Sequence, residues 1–169
     1  MDHALDFLER IGASRLGHLR GTLMSHLVGT WRLLQAWDCD TSVCLAGLFH
    51  SVYGTQYYAQ QSVLLSERSL VREQIGEEAE YLAFLFCMAD RPQALWTVRH
   101  THLIADRMTG QSHPVSLHQV QGLIEIECAN CLEQGLGRPF LKEAWASFRG
   151  GRLALRAPIA AAVAHALDA

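Results

Sequence analysis

The sequence predicts an all-α protein, a single domain of about eight helices spanning residues 1–169. Three observations lead to this fold class. Apolar residues recur at spacings of three and four along most of the chain, which is the period of one helix face. Capping residues and Gly or Pro breakers bound these stretches. The sequence has no stretch that alternates apolar and polar residues as a strand does, and no internal repeat.

The first predicted helices lie on either side of a polar loop. A short amphipathic helix ends at Gly12, and a Gly-broken loop follows it. The next helix, residues 22–37, carries an apolar stripe with His26 beside it. A third helix begins at Thr41, is apolar on nearly all sides and stops at Gly54, and this pattern is typical of a central helix.

The rest of the chain is predicted to be helical with short connections. An irregular aromatic segment precedes a short helix at residues 66–75. Glu77 begins the following helix with a charge that suits its N-terminal dipole, and Pro92 ends it. Residues 93–106 are predicted to be helical, and residues 108–114 to form a loop. Three further helices are predicted from Ser, Pro and Gly boundary signals, at residues 116–134, 139–148 and 158–167.

Composition narrows the class of protein. Half of the residues are hydrophobic and 18% are charged, as in a globular domain, and the net charge of −3 gives no reason to expect nucleic acid or a membrane surface as partner. The N-terminal segment has acidic residues where a signal peptide is basic. We therefore expect a cytoplasmic protein whose five cysteines are reduced thiols, with Cys128 and Cys131 as core residues rather than a zinc or redox pair.

Two histidines mark the candidate site. His26 lies on one helix and His50 near the end of the next, within AGLFHSVYGT, where a buried run turns polar. One interpretation makes them core histidines with satisfied hydrogen bonds. The other is a shared site in which His50 is a base and Tyr53 an acid or an oxyanion donor, with Ser51 and Thr55 completing a polar floor. These last side chains could equally bond to free carbonyls at the end of the helix.

The pattern of motifs resembles the HD-domain superfamily, and in particular the hydrolase domain of the alarmone (guanosine tetraphosphate) synthetase/hydrolases. The likeness rests on the His26 helix followed by AGLFHSVYGT, QIGEEAEYLAFLF and IECANCLEQ, in that order, over residues 16–134. The resemblance implies an HD-like helical bundle. Residues 139–169 have no counterpart in the resemblance.

The resemblance also implies a metal site, from which this chain departs. In that family two histidines and two aspartates hold one divalent metal, which activates water. Here His26 and His50 match the histidines, but Ser51 and Asn130 stand at the aspartate positions. Without those carboxylates the affinity for a divalent ion such as Mn, Fe or Zn should fall steeply, so the expected cofactor is either none or such a metal. A rearranged ligand set could draw on three further side chains, those of Glu127, Asp90 and His102.

Substrate contacts are also implied by the resemblance. The loop before the His26 helix, with Arg15, His18 and Arg20, corresponds to a region that supplies basic contacts to the nucleotide, although a solvated surface explains it as well. Asn130 and Thr55 are expected to line the same cleft.

Three functions remain open from the sequence. The first is an enzyme acting on a small polar or anionic molecule by acid–base chemistry such as isomerisation, elimination or cyclisation. The second is a metal-dependent phosphohydrolase with rearranged ligands, and the third is a non-catalytic module that binds a ligand or a protein partner. A homodimer is the default expectation for such a domain.

Overall fold

The fold was examined in a computed structural model, which describes residues 2–18, 21–148 and 153–168. These residues are mostly helical, which confirms the all-α prediction. Nine α-helices occur in the described part of the chain: α1 (Asp2–Arg10), α2 (Leu23–Ala36), α3 (Thr41–Phe49), α4 (Arg68–Ile75), α5 (Glu77–Met88), α6 (Gln93–Thr101), α7 (Leu117–Gln134), α8 (Arg138–Ser147) and α9 (Ala157–Asp168).

The central helix is α3. It packs against α2, α5 and α7, and most of its residues are buried, as its uniformly apolar sequence predicts. The apolar faces of α5 and α7 complete the core around it. The packing of α2 against both α3 and α7 brings the histidine-bearing helices to the side of the bundle where α7 ends.

Local capping chemistry sets several boundaries. Thr22 accepts a hydrogen bond from the Ser25 backbone N–H at 3.1 Å at the start of α2. Ser116 accepts one from the Gln119 N–H at 3.2 Å at the start of α7. Gly135 ends α7 with a φ of 63°, a left-handed conformation that glycine adopts without strain.

The prediction that the chain lacks strands is wrong at two short hairpins. β1 (Gly17–His18) pairs with β2 (Gly21–Thr22), and β3 (Leu103–Ala105) pairs with β4 (Ser112–Pro114), both antiparallel. Each strand has only two or three residues, too few for an alternating pattern to be visible in the sequence.

Three predicted helices have different ends. The helix expected over residues 93–106 stops at Thr101, because His102 turns left-handed with a φ of 55° and the chain then enters β3. The segment at 66–75 is a single turn of 3-10 helix, Leu65–Glu67, followed by α4. The central helix ends at Phe49 rather than Gly54, and the residues between form consecutive turns.

The C-terminal segment is fastened to the bundle by a charged cluster. Arg156 donates from Nε to Glu125 Oε1 at 2.8 Å and pairs with Asp40 at 3.2 Å. Glu125 is fully buried on α7, and Ile159 and Val163 of α9 are also fully buried. The predicted Gly150–Gly151 break lies outside the described residues.

Candidate functional site

The structure brings the two predicted histidines together. His26 lies on α2, and His50 is the first residue after α3. Their Nε2 atoms are 3.0 Å apart, and the side chains are only 3% and 1% exposed. The contact joins residues 24 positions apart because α2 and α3 pack side by side.

The hydrogen bonds of the other ring nitrogens fix both tautomers. His50 Nδ1 lies 2.6 Å from the carbonyl oxygen of Gly47, which can only accept, so Nδ1 carries a hydrogen. His26 Nδ1 contacts the Glu133 carboxylate and likewise donates. If both rings were neutral, two Nε2 lone pairs would face each other at 3.0 Å. The pair is therefore arranged to share one additional proton between its Nε2 atoms.

Burial decides where that proton resides. Burial, reinforced by the neighbouring His26, lowers the pKa of His50 well below the usual value for histidine. The additional proton is therefore disfavoured on His50, and the other ring nitrogen of His26 faces the Glu133 carboxylate. A third histidine, His18, stacks on His26 with ring centroids 4.3 Å apart, and burial lowers its pKa as well. His18 is therefore neutral at pH 7.

One face of α7 completes the polar site. Gln134 Nε2 lies 3.3 Å from His26 Nε2 and donates to Asn130 Oδ1 at 2.8 Å, and Asn130 donates to Glu127 at 3.1 Å. The sequence interpretation included Asn130 and Glu127 but missed Glu133 and Gln134. Their spacing of three and four from Asn130, which places them on the same helix face, was the signal that could have identified them.

A large cleft of about 920 Å³ lies beside this network. It adjoins a small cavity of about 40 Å³ against His26, with which it shares His18 and Gln134. The lining of the cleft combines polar side chains with an aromatic and apolar wall, contributed by Gly17, His18, Ser51, Thr55, Tyr57, Tyr58, Arg91, Pro92, Glu127, Asn130, Cys131, Gln134, Leu136, Gly137, Pro139 and Phe140.

A buried ion pair forms part of the polar wall. Arg91 donates from Nη1 to Glu127 Oε2, and both residues are nearly fully buried. The Arg91 guanidinium also stacks on Phe86, 3.8 Å from the ring centroid. The Tyr57 hydroxyl donates to the Arg91 carbonyl oxygen at 2.9 Å and so ties the loop after the histidines to this wall.

The structure does not bring Tyr53 to the cleft. Its hydroxyl donates to Glu80 at 2.9 Å, and Arg68 pairs with the same fully buried carboxylate. Burial, with Glu80 beside it, raises the pKa of Tyr53 far above its usual range, which makes it a poor acid. The prediction that Tyr53 shares a polar site with His50 is therefore wrong, because the Tyr53 side chain joins a separate ion cluster between α4 and α5.

The remaining predicted residues have varied placements. Thr55 is buried, lines the cleft and accepts hydrogen bonds from two backbone N–H groups that follow it. Arg15 is exposed and lines neither of the two cavities. Arg20 lies outside the described residues. Asp90 and His102 are exposed and line neither cavity, so they do not join the histidine pair.

The donor set does not fit a resident divalent metal. Two Nε2 atoms converge, each with its Nδ1 held by an acceptor, which is how histidine ligands are usually oriented. A divalent ion needs at least two further bonds. Glu133 is engaged on the far nitrogen of His26, and Glu127 is engaged with Arg91. Within residues 2–18, 21–148 and 153–168, no three His, Cys, Asp or Glu side chains surround a common point.

These features define a class: an all-α protein with a carboxylate-linked histidine pair at the edge of an amphipathic cleft. The chain belongs to the family of the domain of unknown function DUF6817, whose model matches residues 7–91, just over half of its length. The match contains both histidines and Arg91 but not α7. Neither the curated proteins nor the solved structures contain a match to this chain. None of the described helices is long and apolar enough to cross a membrane.

Proposed function

We propose that this protein is an enzyme on an HD-domain-like helical scaffold that performs acid–base chemistry on a small molecule in the cleft. The single observation that carries the proposal is the Glu133–His26–His50 chain, in which two converging Nε2 atoms require a shared proton. A buried group that holds an exchangeable proton next to a cleft is the arrangement that general acid–base catalysis uses.

The chain of hydrogen bonds assigns a role to each member. Glu133 is a positioning residue, because its carboxylate contacts His26 Nδ1 and so orients the ring. Neutral His50 receives the proton from His26 or returns it through the 3.0 Å Nε2 contact. We call the Glu133–His26–His50 chain the relay. It borders the cleft at Ser51, which follows His50, and at Gln134, which contacts His26. This supports proton transfer in an isomerisation, elimination or cyclisation.

The HD-like scaffold is part of the same proposal. The order of helices supports it: His26 on α2, His50 after α3 and Asn130 on α7 follow the order of the motifs in the resemblance. We further propose a cytoplasmic location, since all five cysteines are free thiols, and a homodimer, which light scattering would test.

The test is metabolite profiling with purified protein. Wild type, His26→Gln and His50→Gln are incubated with a pool of small metabolites, with and without EDTA. We expect wild type to convert one compound in EDTA and both variants to lose that activity by about two to four orders of magnitude. If wild type converts nothing, the acid–base proposal is wrong and the binding module replaces it. If both variants retain the activity, the histidine pair does not catalyse it and the acid–base proposal is also wrong.

A metal-dependent phosphohydrolase is the second candidate. The orientation of both histidines by Nδ1 acceptors favours it, because histidines that bind metal are held in this way. If the activity vanishes in EDTA and returns with Mn, Fe or Zn, this candidate displaces the first. Elemental analysis of wild type against His50→Gln would then show one metal ion per chain that the variant lacks.

A further inference from the structure

We infer that the cleft takes an uncharged, largely apolar molecule with one amide-like edge, and not a phosphate or carboxylate. The inference deepens the proposed function, since it names the substrate class of the same cleft. It replaces the expectation of a polar or anionic molecule that the sequence alone supported.

The first argument is charge. Arg91 is the one arginine or lysine among the described residues that line the cleft, and Glu127 is the one carboxylate. They form a buried ion pair, so their charges cancel. His18, also in the lining, is neutral because burial lowers its pKa. An anion in the cleft would have to compete with Glu127 for Arg91 while being repelled by it, and desolvation of its charge would not be offset.

Helix ends do not supply the missing positive charge. The C-terminal end of α7 and the N-terminal end of α8 both border the cleft, through Gln134 and Gly137. The partial charges of these two ends have opposite signs and largely cancel. Pro139, in the first turn of α8, has no N–H to offer an anion.

The second argument is the pattern of free hydrogen-bonding positions. Arg91 lines the cleft, and its Nη2 makes no hydrogen bond within the part of the chain that the structure describes. Glu127 Oε2 accepts hydrogen bonds from Arg91 and Asn130, which leaves part of the accepting capacity of the two carboxylate oxygens unused. A donor thus lies next to an acceptor. An amide or lactam edge, with a carbonyl beside an N–H, complements that pair without any net charge.

The third argument is the aromatic and apolar part of the lining. Tyr57 is 70% exposed and Leu136 is 50% exposed, although both are large and partly or wholly apolar. Phe140 also lines the cleft and stacks on Trp96, with ring centroids 4.8 Å apart. Exposed aromatic and apolar side chains at a cleft rim are typical of a ligand site. This wall suits a flat apolar body.

The test uses three probes that share one ring system: naphthalene carboxamide, naphthoate and naphthyl phosphate. Binding to wild type is measured by NMR titration of the backbone amides that line the cleft. We expect the carboxamide to bind at least about tenfold more tightly than either anion. Equal or tighter binding of an anion, or no shift of cleft amides with the carboxamide up to its solubility limit, would overturn the ligand class.

A charge variant makes the test sharper. Glu127→Gln removes the carboxylate that cancels Arg91, so we expect naphthoate to gain about tenfold in affinity relative to the carboxamide. Glu73→Gln, the same substitution on the exposed face of α4, should change neither affinity. If a folded Glu127→Gln variant binds naphthoate no better relative to the carboxamide than wild type does, the inference is wrong. If that variant does not fold, the ranking measured on wild type decides.

A third variant separates this inference from the proposed function. His50→Gln should keep the preference for the carboxamide, because His50 does not line the cleft, while losing turnover. If the carboxamide does not bind more tightly than the two anions, the proposed ligand class is therefore wrong, while the acid–base proposal is unaffected. If His50→Gln retains turnover, the acid–base role of His50 is wrong, while the proposed ligand class is unaffected.

Discussion

At the scale of single residues, two buried charge systems on α7 organise the site. Glu133 orients His26, and Glu127 neutralises Arg91. Neighbouring turns of one helix therefore hold both the histidine pair and the buried ion pair. In each system a carboxylate makes a buried basic group tolerable, because an unpaired charge in a core is costly. The sequence shows the residue types but not these partners.

We predict that Arg91→Ala destabilises the protein strongly. The substitution leaves Glu127 buried without its cation, so the free energy of unfolding should fall by about 3–5 kcal/mol. Urea denaturation followed by circular dichroism measures it. Arg72→Ala is the control, since Arg72 is 46% exposed and lies 3.5 Å from a carboxylate that Arg68 already binds. It should cost less than about 1 kcal/mol. A similar loss in both variants would contradict the assignment.

At the scale of elements, close packing between helices positions the histidines. The approach of α2 to α3 depends on Gly47, whose added Cβ would overlap a terminal methyl of the fully buried Leu34. The carbonyl oxygen of the same residue accepts from His50. At the contact of α2 with α7, Gly29 faces the flexible side chain of Glu133. Both glycines lie inside helices, where propensity alone disfavours them.

Gly47→Ala should therefore destabilise the fold although it improves helix propensity. Leu34 has no free space to move into, and overpacking of this kind costs about 1–3 kcal/mol. The measurement is the free energy of unfolding in urea. Gly17→Ala, where nothing lies within 4 Å of the added Cβ, should stay within about 0.5 kcal/mol of wild type. An unchanged or raised stability of Gly47→Ala would show that the two helices have room between them.

Gly29→Ala should affect the relay rather than the fold. Its Cβ would lie 2.7 Å from Glu133 Cγ, and this flexible side chain, which is 25% exposed, can move away at the expense of its contact with His26. The gain in helix propensity should offset part of the cost of losing that contact, so we expect stability to change by less than about 1 kcal/mol. The NMR chemical shifts of the His26 ring nitrogens should change, and any turnover should fall. Both changes should match those in Glu133→Gln, which removes the same carboxylate. A wild-type spectrum in Gly29→Ala would be inconsistent with this packing.

At the scale of the whole molecule, titration of the histidines couples the site to stability. The pKa values of His18 and His50 are lowered in the folded state, chiefly by burial. A histidine of this kind binds fewer protons when folded than when unfolded, so stability rises with pH. The stability is complete above the unfolded pKa, about 6.5, and is lost as the pH falls below it.

We therefore predict that acid weakens the fold through His50. Below about pH 6.5 the free energy of unfolding should fall by up to about 1.4 kcal/mol per pH unit for this residue alone. Urea denaturation between about pH 7.5 and 5.5 measures the slope in wild type and in His50→Gln. The variant should show a smaller slope, and equal slopes would mean that His50 is not buried in its neutral form.

Much of the architecture follows from the sequence. The period of apolar residues gives the helices, Ser116 and Gly135 give the bounds of α7, and the uniformly apolar α3 marks the centre. These features are local, because capping and amphipathicity depend on residues a few positions apart. The early end of α6 at His102 could not be predicted, since a left-handed histidine is stabilised by the hairpin that follows it.

The sequence by itself determined that helices carry His26 and His50 toward one place, and that a serine and not a carboxylate follows His50. Only the tertiary structure decided which groups these histidines meet. It paired His26 with Glu133, drew Tyr53 to Glu80, and bound Glu127 to Arg91. The physical reason is that a buried polar group must find a partner, and these partners lie 27 to 107 positions away along the chain.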